Sequence, residues 1–172
     1  QHRFKQGKDL DNLNDAIKIK ELCDKYDALF IVNDRIDIAF ASNAHGVHLG
    51  QSDLTIQSAR KILGFSKIIG ISANNENDIN KALQDGCDYL GIGPIYKSKN
   101  KKDKKPLNLK EIKSLTSNIK IPWFAIGGIK SENIYDLKNK GINKVAMISE
   151  LIDAENPTKK ARIIIKSLSD ET

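Results

Sequence analysis

The sequence contains no apolar run approaching the ~20 residues that a membrane-spanning helix needs, so no membrane partner is expected. Aromatic residues make up only 6% of it, and none interleaves with basic residues as a base-stacking surface would require. Nucleic acid is therefore not an expected partner, although the formal net charge is +6. Lysine far outnumbers arginine, and isoleucine and asparagine are abundant, so the charge reads as compositional bias as much as a polyanion-binding surface. The only cysteines, Cys23 and Cys87, lack metal-ligand spacing. They read as buried, reduced thiols and fit a cytoplasmic protein. No Ser/His/Asp arrangement or Cys/His pair stands out, and no histidine follows His48. No secretory leader is visible, and the chain opens on Gln1 rather than Met, so a processed or cut N-terminus is expected. Low-complexity stretches and internal linkers are lacking too, which leaves one domain over residues 1–172 as the expectation.

What is present is strand–helix alternation from end to end. Short apolar, β-branched runs at residues 29–33, 46–49, 67–72, 88–92, 123–126 and 144–148 read as strands covered on both faces. Residues 1–5 read as the end of another. Helical spacing falls between them at residues 9–26, 36–42, 55–63, 75–84, 109–116 and 133–140, with a helical turn from Ser149 and a last helix at 158–168. Asp11 or Asn12 is the expected cap of the first helix, and Asp53 or Thr55 that of the third. Seven strands with this alternation predict an α/β fold, a TIM (β/α)8 barrel lacking its first strand and helix. An open doubly wound sheet is the rival topology.

The stretch of residues 31–53 organises the rest. Two apolar runs each end in polar residues, first Asn33 and Asp34, then Gln51 and Asp53. In a barrel, successive strand ends share one rim, where active sites lie. Oxygen-only ligands of this kind suit Mg²⁺, which shares itself with substrate phosphates. Asp34 and Asp53 are therefore the expected metal ligands, with the ion carrying a diphosphate. Gln1, Arg3, Lys5, Ser72 and the basic run 97–101 belong to the same rim, and His2 should point away from it. His45 and His48 flank a short strand and read as structural. A second anion signal comes late in the chain. Gly127 and Gly128 let backbone amides approach a phosphate, and Ser149 stands where a helix should begin after Ile148. Two phosphate positions suit two phosphorylated substrates joined by loss of diphosphate.

Seven short motifs occur in order: Q-x-R-x-K at residues 1–5, N-D-R at 33–35, H-L-G-Q-x-D at 48–53, G-I-S at 70–72, G-P-I at 93–95, A-I-G-G-I at 125–129, and Met147-Ile148-Ser149. As a set they resemble the thiamine phosphate synthase family, over essentially the whole chain. The resemblance implies a barrel that couples hydroxymethylpyrimidine diphosphate to a thiazole phosphate by a dissociative substitution, giving thiamine monophosphate and diphosphate. It implies that Gln1 holds the aminopyrimidine, and that Arg3, Lys5, Asn33, Ser72 and Lys101 line the diphosphate. Among these, Arg3, Lys5, Lys101 and Ser72 would stabilise the leaving group. Asp34 and Asp53 would hold Mg²⁺, and Gly128, Ile148 and Ser149 the thiazole phosphate. Ser98, Lys99 and Asn100 would contact the thiazole substrate, although the family pattern P-T-x-T-K is replaced here by Lys97-Ser98-Lys99-Asn100-Lys101. The alternatives are a thiazole tautomerase-like protein, which would use a histidine near the sixth-strand loop, or a non-catalytic phosphate-ligand module on the same barrel. Partners would be small phosphorylated pyrimidine and thiazole molecules. A homo-oligomer is compatible with the sequence but not specified by it.

Overall fold

The computed structural model describes residues 1–97 and 105–169. Its strands are β1 (Ile31–Asn33), β2 (Gly46–Leu49), β3 (Ile68–Ala73), β4 (Tyr89–Ile92), β5 (Trp123–Ile126) and β6 (Val145–Ala146). Its helices are α1 (Asp9–Lys25), α2 (Ile36–Ala41), α3 (Ile56–Leu63), α4 (Glu76–Gln84), α5 (Ile112–Thr116), α6 (Ile134–Lys138), α7 (Ser149–Ile152) and α8 (Pro157–Leu168). The strands follow chain order in the sheet. β1 pairs with β2, β2 with β3 and β5 with β6, all parallel. This is the α/β succession that the alternation predicts. The expected strand at residues 1–5 is reduced to a single parallel bridge, His2 to Val32. There His2 N–H donates to Ile31 O at 2.8 Å, and Asn33 N–H to His2 O at 2.9 Å.

The chain divides into two compact units, residues 1–73 with 77–90, and residues 74–76 with 91–172. In the first, β2 is buried at every position, and Phe30, Val32, Val47, Leu49, Ile69 and Leu90 are fully or almost fully enclosed. In the second, Ile95, Ile112, Ala125, Ile129, Leu137 and Ile142 form the core, with Trp123 and Met147 packed against it. Each large aliphatic side chain so enclosed contributes roughly 1.5–3 kcal/mol.

Two helices show how local sequence sets these boundaries. α3 buries Ile56, Ala59 and Leu63, which lie on one face at helical spacing. Thr55 caps it, its side chain accepting from Ser58 N–H at 3.2 Å, and Gly64 ends it at φ +80°. α8 starts with Pro157 behind the cap Asn156, whose side chain accepts from Lys159 N–H at 2.9 Å.

α1 departs from expectation. Its cap residue is Lys8, with no side-chain hydrogen bond, rather than Asp11 or Asn12. Asn12 lies inside the helix and is buried, its Oδ1 3.0 Å from His2 Nε2. The buried line is Asn12 and Ala16, while Ile17 and Leu22 are exposed. Asp9 and Asp11 in the first turn suit the helix dipole instead. Arg35 ties that end down, donating to Asp9 at 2.7 Å and in two bonds to Asp37 at 2.8 and 2.6 Å. Cys87 is buried, and burial pushes its thiol up to about 11, so it stays protonated. Cys23 is only half-buried.

Candidate active site

In the first unit, the candidate residues sit where strands end. Asn33 closes β1, and its Oδ1 accepts from Gln1 Nε2 at 2.8 Å. The next residue, Asp34, is half-buried and ion-paired with Lys5 Nζ. Its backbone is in the left-handed region, φ +66°. Asp34 N–H donates to His48 O at 2.8 Å, and Arg35 N–H donates back to Asn33 O at 2.8 Å. Asp34 therefore sits in a tight turn, in a conformation that costs a non-glycine residue free energy. Such strain accumulates where a side chain must be aimed. Asp53 lies in the loop after β2, and its Oδ2 accepts from Gly50 N–H at 2.6 Å. Asp53 therefore steadies its own loop, and the helix cap falls to Thr55.

Two carboxylates anchored after successive parallel strands of one unit, with oxygen donors only, fit a hard divalent cation that completes its shell with water and phosphate oxygens. No group of three or more metal-ligating side chains occurs among the described residues. Arg3 is exposed. The His2 ring packs near Phe4 and Phe30 and meets Asn12, whereas the Gln1 side chain meets Asn33.

Ser72 is buried in β3, and its backbone oxygen accepts from Gln51 Nε2 at 2.7 Å. Its Oγ lies 2.9 Å from Nε2 of His48, which is also buried. The other ring nitrogen of His48, Nδ1, lies 2.9 Å from Tyr89 OH. Sequence reasoning missed this row. It follows from strand register: His48 is the register partner of Gly70, and Ser72 lies two residues further along the same face. His45 is structural, as expected, its Nδ1 accepting from Phe30 N–H at 2.8 Å.

In the second unit, the relevant surface is mostly backbone. Gly127 and Gly128 follow β5 at φ +92° and +65°. A Cβ at Gly128 would lie 2.5 Å from Lys97 O, so only glycine fits there. Asn133 holds the turn, donating to Gly128 O at 3.0 Å and accepting from Lys130 N–H at 2.9 Å. Ile148 and Ser149 are exposed at the start of α7. Glu150 ties this start to the loop after β5, accepting from Ser131 N–H at 3.1 Å and Oγ at 2.5 Å, with Lys160 Nζ at 3.3 Å. The hydrogen bond from Ser131 holds its carboxyl below the usual range. Asn133 and Glu150 were not legible as parts of this site. Ser98, Lys99, Asn100 and Lys101 lie outside the described residues.

The comparisons bear on these residues together. Residues 1–151 match the family described as thiamine monophosphate synthase. The thiamine-phosphate synthase of Prochlorococcus marinus strain AS9601 is 60% identical over 171 residues, covering 99% of this chain and 49% of that protein. That of Synechocystis sp. strain PCC 6803 is 43% identical over 169 residues, covering 98% and 49%. The chain thus spans about half the length of the curated relatives it matches. Among solved structures, a thiamine phosphate pyrophosphorylase from Pyrococcus furiosus superposes with a TM-score of 0.89 at 32% identity, over 96% of this chain and 80% of that one. The 3-hexulose-6-phosphate synthase of Salmonella typhimurium shares the fold, with a TM-score of 0.66 at 19% identity over 91% and 80% of the two chains.

Proposed function

The chain belongs to the thiamine monophosphate synthase family, and from that premise we propose that it couples hydroxymethylpyrimidine diphosphate to a thiazole phosphate, giving thiamine monophosphate and diphosphate. The observation that carries this reading is the pairing of motif positions at the end of β1, Gln1 on Asn33 and Lys5 on Asp34. Gln1, which would hold the aminopyrimidine, thus meets Asn33, which would line the diphosphate, and the next residue Asp34 meets Lys5.

The reaction breaks the pyrimidinylmethyl C–O bond, and its electron pair leaves with the diphosphate. The thiazole nitrogen then forms the new C–N bond. The aminopyrimidine stabilises the cation formed between these events, so no protein nucleophile is required. Arg3, Lys5, Lys101 and the Ser72 hydroxyl meet the charge that develops on the leaving oxygens, where positioned donors lower a barrier most. Asp34 and Asp53 would hold Mg²⁺, which when bound supplies charge neutralisation to the diphosphate. Gln1 orients the pyrimidine, and Asn33 lines the diphosphate. Backbone amides at Gly128, Ile148 and Ser149 hold the thiazole phosphate, and Ser98, Lys99 and Asn100 would contact the thiazole substrate. That no histidine follows His48 in this sequence counts against the tautomerase alternative.

Turnover of the two substrates with and without Mg²⁺ tests the proposal. Thiamine monophosphate should form only with the metal. Product formed at an equal rate without any divalent cation would overturn the metal assignment, and no product under any condition would favour the non-catalytic module.

A further inference from the structure

The Ser72 hydroxyl is the one neutral side chain assigned above to stabilising the departing oxygens, and the inference here rests on that reading. A hydroxyl can donate or accept, so its usefulness to an anion depends on which way its proton points. Three features of the first unit bear on that direction. Ser72 and His48 are 8% and 7% exposed, so their hydrogen bond is sheltered from water. The His48 ring is bonded at both nitrogens, to Ser72 Oγ and to Tyr89 OH, each at 2.9 Å. Finally, the Tyr89 ring reaches His48 by lying across Gly70, where an added Cβ would sit 2.0 Å from Tyr89 Cζ.

We propose that Tyr89 and His48 are positioning residues that set the direction of the Ser72 proton. Tyr89 donates its O–H to His48 Nδ1, the Nε2–H of His48 donates to Ser72 Oγ, and the Ser72 proton is then available to an anionic oxygen.

The order of donors follows from the groups themselves. A phenol is a strong donor and a weak acceptor, while an unprotonated imidazole nitrogen is a strong acceptor. Burial pushes Tyr89 ionisation upward, so its proton stays in place. With Nδ1 accepting, the neutral ring carries its hydrogen on Nε2. The reverse order would draw the Ser72 proton to Nε2 and turn oxygen lone pairs toward the leaving diphosphate, which repels it. Gly70 enters as the residue whose missing side chain lets Tyr89 pass. Gln51 Nε2 donates to the Ser72 backbone oxygen.

Two measurements on the full chain decide this. Nitrogen-15 NMR of His48 should show the Nε2-protonated tautomer, with that preference lost in Tyr89→Phe. An Nδ1-protonated ring, or a tautomer indifferent to Tyr89→Phe, overturns the proposal whether or not the chain turns over. That separates its failure from failure of the synthase reading, which the turnover assay reports. Binding of inorganic diphosphate with Mg²⁺ supplies the second measurement. Tyr89→Phe should weaken it by roughly fivefold, about the worth of one hydrogen bond. In a Ser72→Ala background, Tyr89→Phe should have no further effect. An equal loss in both backgrounds would mean that Tyr89 acts by packing and not through the serine proton.

Discussion

The strand ends of the two compact units are built in different ways. In the unit of residues 1–73 and 77–90, the strand ends carry side chains: the Gln1 amide on Asn33, Lys5 on Asp34, Asp53 in its loop, and Ser72 on His48. In the unit of residues 74–76 and 91–172, the corresponding surface is main chain, Gly127, Gly128 and the turn at Ile148 and Ser149. Side chains there serve as clamps, Asn133 on the glycine turn and Glu150 on Ser131. Under the proposed function, the first arrangement would meet a diphosphate whose charge grows during reaction, and the second would hold a phosphate monoester. One surface is altered by changing charge, the other by changing space.

Substitutions can break this contrast. Asp34→Asn keeps a residue that tolerates φ +66° and removes the charge. It should slow turnover by about a hundredfold or more, on the order of 3 kcal/mol in the barrier, with a raised Mg²⁺ requirement. A variant that alters only the KM for the thiazole phosphate would erase the distinction. Gly70→Ala and Gly128→Ala form a matched pair, because an added Cβ meets Tyr89 Cζ at 2.0 Å in one and Lys97 O at 2.5 Å in the other. Each should cost about 2 kcal/mol of stability by chemical denaturation. The Gly70 variant should weaken diphosphate binding, and the Gly128 variant thiazole phosphate binding.

The caps Thr55 and Asn156 offer a control outside both sites, since each accepts from the third residue of its helix. Alanine at either should lower stability by about 1 kcal/mol and leave both Michaelis constants unchanged. The smallest effect belongs to Glu150→Gln. Because its folded-state carboxyl is held down by Ser131, Glu150 contributes stability that is present above the ordinary glutamate range and lost as pH falls through the lowered value. The wild-type advantage, about 1 kcal/mol for a partly exposed group, should be seen near neutral pH and vanish in acid.

Strand positions were legible because buried parallel strands leave continuous β-branched runs, and the six observed strands fall on six of those runs. Helix existence was legible for the same periodic reason. The start of α1 was not, because it lacks a side-chain cap and is held by Arg35 from a later loop. Carboxylates after β1 and β2 could be read from the chain because a polar residue ending an apolar run is a local pattern. The row of Tyr89, His48 and Ser72 could not, because it depends on register between strands and on Gly70 making room. Glu150 was hidden for a similar reason. Its partner Ser131 lies nineteen residues away, and nothing in either neighbourhood marks them as a pair.

The left-handed turn at Asp34 also restricts how this protein can vary. Most amino acids entering that position pay a conformational penalty before any metal is considered, so defects of folding and of catalysis would arrive there in the same variant. Asparagine and glycine are the exceptions, and a survey of natural sequence drift at this codon should find tolerated, inactive chains carrying one of those two.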